Sequence, residues 1–192
     1  MTTLRGLLER RRSTKAYRDD RIDSAAVRDL VATVVGRSAD GRRGHGSAHA
    51  RYAVQISLIT HAVDSLASAA YRYDHAHDEL VTLADGDFMA ELARGTLDAD
   101  WLEHCPAALV LSADTATADK VFADQGPHRG TRFCWIETGL IAQNVYLWAA
   151  ENGIGTVLIG GLDDQAIAAA AAPWLGTAQM VTAVMPIGIP QG

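Results

Sequence analysis

From Arg132 to Asn152 the chain runs without a proline, and Ile136, Leu140, Ile141, Val145 and Trp148 recur at helical spacing before Gly153 closes the stretch. A helix of that extent is about 30 Å long, the width of a small domain. The chain has 192 residues, room for one domain of ordinary size. This helix is the longest of the elements read from the sequence.

Those other elements are short. Leu4, Leu7 and Leu8 share one side of a helical segment that runs into Arg10-Arg11-Arg12. Asp23 or Ser24 can cap a helix carrying Val27, Leu30, Val31, Val34 and Val35, and Gly36 ends it. Ser38 to Ala50 reads as a loop. Tyr52 to Thr60 alternates like a strand. Tyr71–Tyr73 and Glu79–Leu83 predict an antiparallel pair with a polar turn between them. Asp85 is placed to cap a helix carrying Phe88, Met89, Leu92 and Leu97.

Ala107 to Ser112 is an apolar run expected to form a buried central strand, and Asp114 to Arg129 reads as a mobile loop holding at most a helical turn. Thr156–Ile159 predicts another short strand, Asp163 or Asp164 a cap for an Ala-rich helix, and Met180–Ile187 a final strand. Helices mixed with hairpin-like and separated strands point to a three-layer α+β domain rather than a regular βαβ repeat. Neither a repeat nor a long linker divides the chain, so 1–192 reads as a single domain.

The net charge of -6 excludes a general nucleic-acid binder, which needs a basic face to neutralise phosphates. It leaves room for a local basic pocket. Cys105 and Cys134 lack metal-ligand spacing and read as buried thiols. The amino terminus turns charged at once, and no apolar run approaches the roughly 18–20 residues that span a bilayer. A soluble, cytoplasmic chain is the expectation, with no membrane contact.

Three segments carry candidate chemistry. In Arg11-Arg12-Ser13-Thr14-Lys15 two guanidiniums, hydroxyls and an ammonium follow the first helix. Arginine forks match phosphate oxygens, although a solvated basic face has the same composition. In Gly46-Ser47-Ala48-His49-Ala50-Arg51-Tyr52 small residues let backbone approach a flat ligand, as they also do in an ordinary loop. In Ile159-Gly160-Gly161-Leu162-Asp163 a strand-to-helix turn offers backbone N–H groups. No dinucleotide fingerprint is present. His75 and His77 fall in the hairpin turn and read as a solvated tip, so no metal site is expected. The four tryptophans read as core or subunit contacts.

In register, these segments resemble the nitroreductase superfamily, and within it the SagB-type branch that oxidises azolines to azoles in peptide natural products. The resemblance rests on Arg11–Tyr17, Ser47–Tyr52, Tyr71–Asp74 with Glu79-Leu80, Arg129–Arg132 with Glu137–Gly139 and Ala142–Asn144, Ile159–Asp164, and Ile187–Pro190. It implies an intertwined homodimer with a central, mostly antiparallel sheet flanked by helices, the Arg132–Asn152 helix forming much of the subunit contact. It implies FMN held non-covalently between two subunits and ping-pong electron transfer. Arg11, Arg12 and Ser13 would hold phosphate and ribityl oxygens. Lys15 would stand at the pyrimidine edge, Ser47 and Ala48 would line the flavin, and Gly160 and Gly161 would face N5.

The chain departs from the branch at four places. Gly46 replaces a proline, His49 replaces a glycine, and the sequence stops at Gly192 without a basic tail. The Lys-Tyr pair is missing, with Asp124 and Gln125 nearest to it, and Thr131 stands for a tyrosine. Proton removal from an azoline needs a base, for which Asp124, His128 and His49 are the candidates. The substrate would be a peptide, with a peptide-modifying cyclase as partner. Two other readings stand beside this one. One is an NAD(P)H-dependent reductase of small electron-poor acceptors such as nitro compounds or quinones. The other is a catalytically silent scaffold subunit of the same fold.

Overall fold

The computed structural model describes residues 3–38 and 40–191. Helices α1 (Leu4–Arg10) and α2 (Ser24–Val35) come first, followed by strands β1 (Val54–Thr60), β2 (Ala69–Asp74) and β3 (Glu79–Asp85). Then come α3 (Met89–Arg94), β4 (Ala107–Ala113), α4 (Thr115–Val121), α5 (Arg129–Asn152), α6 (Asp164–Ala171) and β5 (Met180–Ile187). The five strands form one sheet in the order β3-β2-β1-β4-β5, with every neighbouring pair antiparallel.

Alternation along the strands divides the core in two. Ile56, Leu58, Leu109, Leu111 and Met185 face α2 and α5. Ile59, Val110 and Val184 face α3, α6 and the 3₁₀ turn Asp100–His104. The result is the three-layer α+β arrangement. All seven residues of β4 are buried, because this strand lies between β1 and β5 with helices over both faces. On the first face Trp148 Nε1 donates to Asp29 at 2.6 Å and ties α5 to α2. Both cysteines are buried and free.

Local sequence accounts for several elements directly. Asp23 caps α2 by accepting from the Ala25 N–H, and Gly36 ends it. Asp163 caps α6 through the Ala166 N–H. The β2–β3 hairpin turns where Asp74 accepts from the Ala76 N–H and Tyr73 donates to Asp78.

Elsewhere tertiary contacts change the outcome. Asp114 to Arg129 is not a loop. Asp114 caps α4 through Thr117, and a 3₁₀ turn over Ala123–Gln125 follows. α5 begins three residues earlier than expected, because Asp119 of α4 accepts from the Thr131 N–H and hydroxyl at 2.7 and 2.8 Å. Asp85 ends β3 and does not cap α3; Asp87 accepts from the Met89 N–H instead, and Leu97 lies beyond that helix, exposed.

Thr156–Ile159 forms no strand. It pairs with the end of the sheet only at Gly155–Gly188 and Ile159–Val184. Between those bridges, Thr14 N–H takes the Thr156 carbonyl and the Tyr146 hydroxyl takes the Leu158 N–H.

The apolar stripe of α5 also splits. Cys134, Ile141, Val145 and Trp148 are buried against the sheet, whereas Trp135, Ile136 and Leu140 are 42–54% exposed on the other side. Leu4 and Leu8 of α1 are exposed as well.

α4 and α5 approach so closely that a Cβ on Gly130 would stand 2.0 Å from the Ala118 carbonyl carbon. Gly130→Ala should therefore cost about 1–3 kcal/mol by overpacking, measured as a fall in the urea midpoint with unchanged slope.

Candidate active site

The segment after α1 is strapped to the carboxyl-terminal end of β5. Arg18 N–H donates to Ile189 O, Gln191 N–H donates to Ala16 O, and Tyr17 bridges to Pro190. Tyr17 fixes the strap. Its hydroxyl donates to Thr14 O at 2.6 Å and its ring stacks on Trp101 at 5.7 Å. Burial, with Cys105 and Tyr146 nearby, pushes the phenol well above its ordinary range, so it stays a donor. The strap can lie this low because Gly155 and Gly188 have no side chains. A Cβ on Gly188 would sit 2.6 Å from Tyr17 Cδ1, and one on Gly155 would sit 2.8 Å from Thr14 Cγ2.

This packing brings the basic run onto α5. The Arg11 guanidinium lies 4.8 Å from the centre of the Tyr146 ring, and Ser13 Oγ is 3.1 Å from the Tyr146 hydroxyl. The same hydroxyl accepts the Leu158 N–H at 2.9 Å. Tyr146 therefore joins the basic run to the turn holding Gly160 and Gly161. A cleft of about 350 Å³ opens here, lined by Arg10, Arg12, Thr14, Tyr146, Gly153 and Pro190 among others. Among the described residues, none of Arg10, Arg11, Arg12 and Lys15 makes an ion pair, and Lys15 is exposed. The N–H groups of Gly160 and Gly161 meet no protein acceptor among those residues, and both glycines are exposed.

Ser47 and Ala48 lie elsewhere. They line a second cleft of about 270 Å³ with Phe133, Ile136, Glu137 and Leu140. Glu137 and Tyr146 are about 13 Å apart along α5, so the two clefts open at separate positions on the helix. The Ser47 hydroxyl faces inward. It donates to Glu137 Oε2 at 2.6 Å and accepts the Tyr52 N–H at 2.7 Å. Glu137 is 2% exposed, and it also accepts the Val54 N–H at 3.3 Å. His45 Nε2 stands 3.6 Å from its other side, inside ionic reach and long for a hydrogen bond. Burial alone would raise this carboxyl, but His45, Ser47 and the Val54 N–H outweigh it and hold the group below the ordinary carboxylate range.

The three candidate bases gather at one end of α5. His49 packs edge-on against Phe122 at 5.4 Å, and Phe122 packs against Phe133 of α5 at 4.9 Å. Asp124 follows two residues later, exposed, in the 3₁₀ turn. His128 precedes the first turn of α5 with its Nδ1 3.4 Å from Asp119. His49 has a φ of 50°, the left-handed region that glycine occupies freely.

Sequence reasoning did not name Tyr146, and it quoted Glu137 only within the long-helix resemblance, with no role of its own. Tyr146 carries no local signal, since its partners are 133 and 12 residues away. Glu137 does carry one, being a carboxylate in helical register with Cys134 and Ile141 on the buried side.

The model of the nitroreductase family matches residues 8–189. The chain belongs to the nitroreductase family. FMN is the cofactor typical of this oxidoreductase family. A Methanocaldococcus jannaschii protein named as a nitroreductase is 28% identical over 165 residues, covering 85% of this chain and 81% of its own. A nitroreductase-titled structure from Ralstonia eutropha superposes with a TM-score of 0.78 at 22% identity, covering 99% of this chain and 84% of that one. An Escherichia coli microcin synthetase McbBCD complex, with truncated pro-MccB17 bound, contains a chain with a TM-score of 0.77 at 20% identity. That match covers 95% of this chain and 70% of the other. No helix among the described residues of this nitroreductase-family chain is long and apolar enough to cross a membrane.

Two outcomes follow from the site. The depressed Glu137 stabilises the fold fully above its ordinary carboxylate pKa and loses that contribution as pH falls through its lower native value. Glu137→Gln should flatten the acid limb of a stability-versus-pH curve measured by urea unfolding. At the left-handed position, His49→Val should be about 1–2 kcal/mol less stable than His49→Asn, because a β-branched residue crowds there and asparagine does not. Thermal midpoints of the two variants compare them directly.

Proposed function

We propose that this nitroreductase-family chain is an FMN-dependent dehydrogenase, working as a homodimer, that oxidises azoline rings in a modified peptide. The observation that carries the FMN reading is the set of cations at the Tyr146 cleft, near two glycines, where among the described residues the cations meet no acidic partner and the glycine N–H groups no acceptor. That donor set fits a phosphate monoester joined to a flat, nitrogen-bearing ring.

Arg11 and Arg12 would hold the phosphate, with Ser13 on phosphate or ribityl oxygens. Lys15 would favour negative charge at the pyrimidine edge, and Gly160 and Gly161 would donate to ring nitrogens. When bound, FMN supplies a two-electron acceptor for hydride. Ser47 and Ala48 belong to the other cleft, so they would reach the cofactor from the second subunit. The exposed Trp135, Ile136 and Leu140 beside that cleft support such a pairing. Of the candidate bases, His128 is the one whose ring is paired with a carboxylate, which orients it for taking the azoline proton. Peptide chemistry, and a peptide-modifying cyclase as partner, draw support from the likeness to a chain of the McbBCD complex.

The missing Lys-Tyr pair favours a second reading, reduction of small electron-poor acceptors by NAD(P)H. Purified protein should be yellow, with a flavin spectrum bleached by dithionite. Turnover of an azoline peptide with release of the azole supports the dehydrogenase. Turnover of NADPH with a quinone, and none with the azoline, supports the reductase instead. Protein that stays colourless after incubation with excess FMN points to a scaffold subunit. Arg11→Ala should weaken FMN binding by about 1.5–3 kcal/mol through loss of a charge-assisted contact, measured by fluorescence titration. An unchanged affinity would place the phosphate elsewhere.

A further inference from the structure

A buried carboxylate is expensive unless donors surround it. Glu137 sits on the sheet-facing side of α5 among apolar neighbours, yet its oxygens are served by Ser47 Oγ–H, the Val54 N–H and the approach of His45. The segment it grips is unusual in its backbone. His49, Ala50 and Tyr52 all have φ between 50° and 54°, and none is glycine. Left-handed backbone at non-glycine residues persists only where surroundings over-determine it. Here the surroundings are visible. Ser47 passes the grip of Glu137 to the Tyr52 N–H, while the Tyr52 ring is clasped by His45 at 5.6 Å and Arg43 at 4.9 Å.

We propose that Glu137 is a positioning residue: it latches the strained Ser47–Tyr52 turn to α5 and so fixes the Ala48–His49 backbone as a wall of the cofactor site. The inference rests on the FMN reading above. Glu137 does not touch the cofactor; it acts through Ser47. With both its proton and a lone pair committed, the Ser47 hydroxyl serves the turn, and the surface presented to a ligand is backbone, Ala48 and the His49 ring. An amide in its place keeps a single acceptor oxygen for the groups that converge on the carboxylate and turns an NH₂ toward the others.

Hydrogen exchange of the cofactor-free protein tests the latch without reference to FMN. In Glu137→Gln the Tyr52 amide should exchange at least tenfold faster, while amides of β4 stay protected. Ser47→Ala removes the acceptor of the Tyr52 N–H itself, so it is read at the Arg51 amide, which donates to Ala48 O within the turn and should also exchange faster. Unchanged exchange at Tyr52 in Glu137→Gln, or at Arg51 in Ser47→Ala if the Gln variant folds poorly, would overturn the latch.

FMN titration and visible circular dichroism then test the coupling. Either variant should bind FMN on the order of fivefold more weakly, with an altered flavin dichroism band. Faster exchange with unaltered FMN affinity and dichroism would reduce Glu137 to a structural role and overturn the proposal. Wild-type protein that takes up no FMN would instead sink the functional reading, and the coupling with it.

Discussion

Burial of one face of α5 against the sheet, through Cys134, Ile141, Val145 and Trp148, is the contact on which the rest of the molecule depends. It covers the central strands on one side and fixes what the remaining faces of the helix can reach. Tyr146 is thereby delivered to the amino-terminal strap, and Glu137 to the turn before β1. Because both groups project from one rigid rod, the two clefts have a fixed separation. The helix also retains an apolar face that the chain itself leaves uncovered, at Trp135, Ile136 and Leu140.

The two halves are held in different ways. The basic run is positioned by shape: a tyrosine ring lies over two glycines where any side chain would collide. That anchorage uses close packing, the Tyr17 hydroxyl and backbone hydrogen bonds to Thr156 and Ile189, and among the described residues Arg10, Arg11 and Arg12 meet no acidic partner. The Ser47 turn is positioned by charge, from a carboxylate inside the protein. Against an apolar group of the same shape, a buried charge of this kind adds little stability, because desolvation offsets its attractions. Its value lies in direction, since it admits only donors and so selects one arrangement of the turn.

His49 shows how a side chain can be held where backbone favours glycine. The position has left-handed backbone, which glycine occupies freely. Histidine is accommodated because its ring leans on Phe122, itself set against Phe133 of α5. The result is an aromatic surface next to Ala48.

Sequence by itself determined the elements whose signals are local. The capped α2 between Asp23 and Gly36, the Asp74–Asp78 hairpin turn, the buried β4 and the Asp163-capped α6 follow from periodicity and capping. For the basic run and the two glycine-bearing segments, local pattern left a solvated face and ordinary loops open, and only the family resemblance made them candidates for a ligand. Only tertiary structure decided the start of α5, since its cap comes from Asp119 on another helix. Tertiary structure likewise turned Thr156–Ile159 from a strand into a platform for the strap and for Tyr146. The partners of Tyr146 and Glu137 are set by how helices cross the sheet, and side-chain contacts 12 to 133 residues apart leave no trace in local pattern. Periodicity reports which residues are apolar; which of two apolar faces is covered depends on what else the chain has to place there.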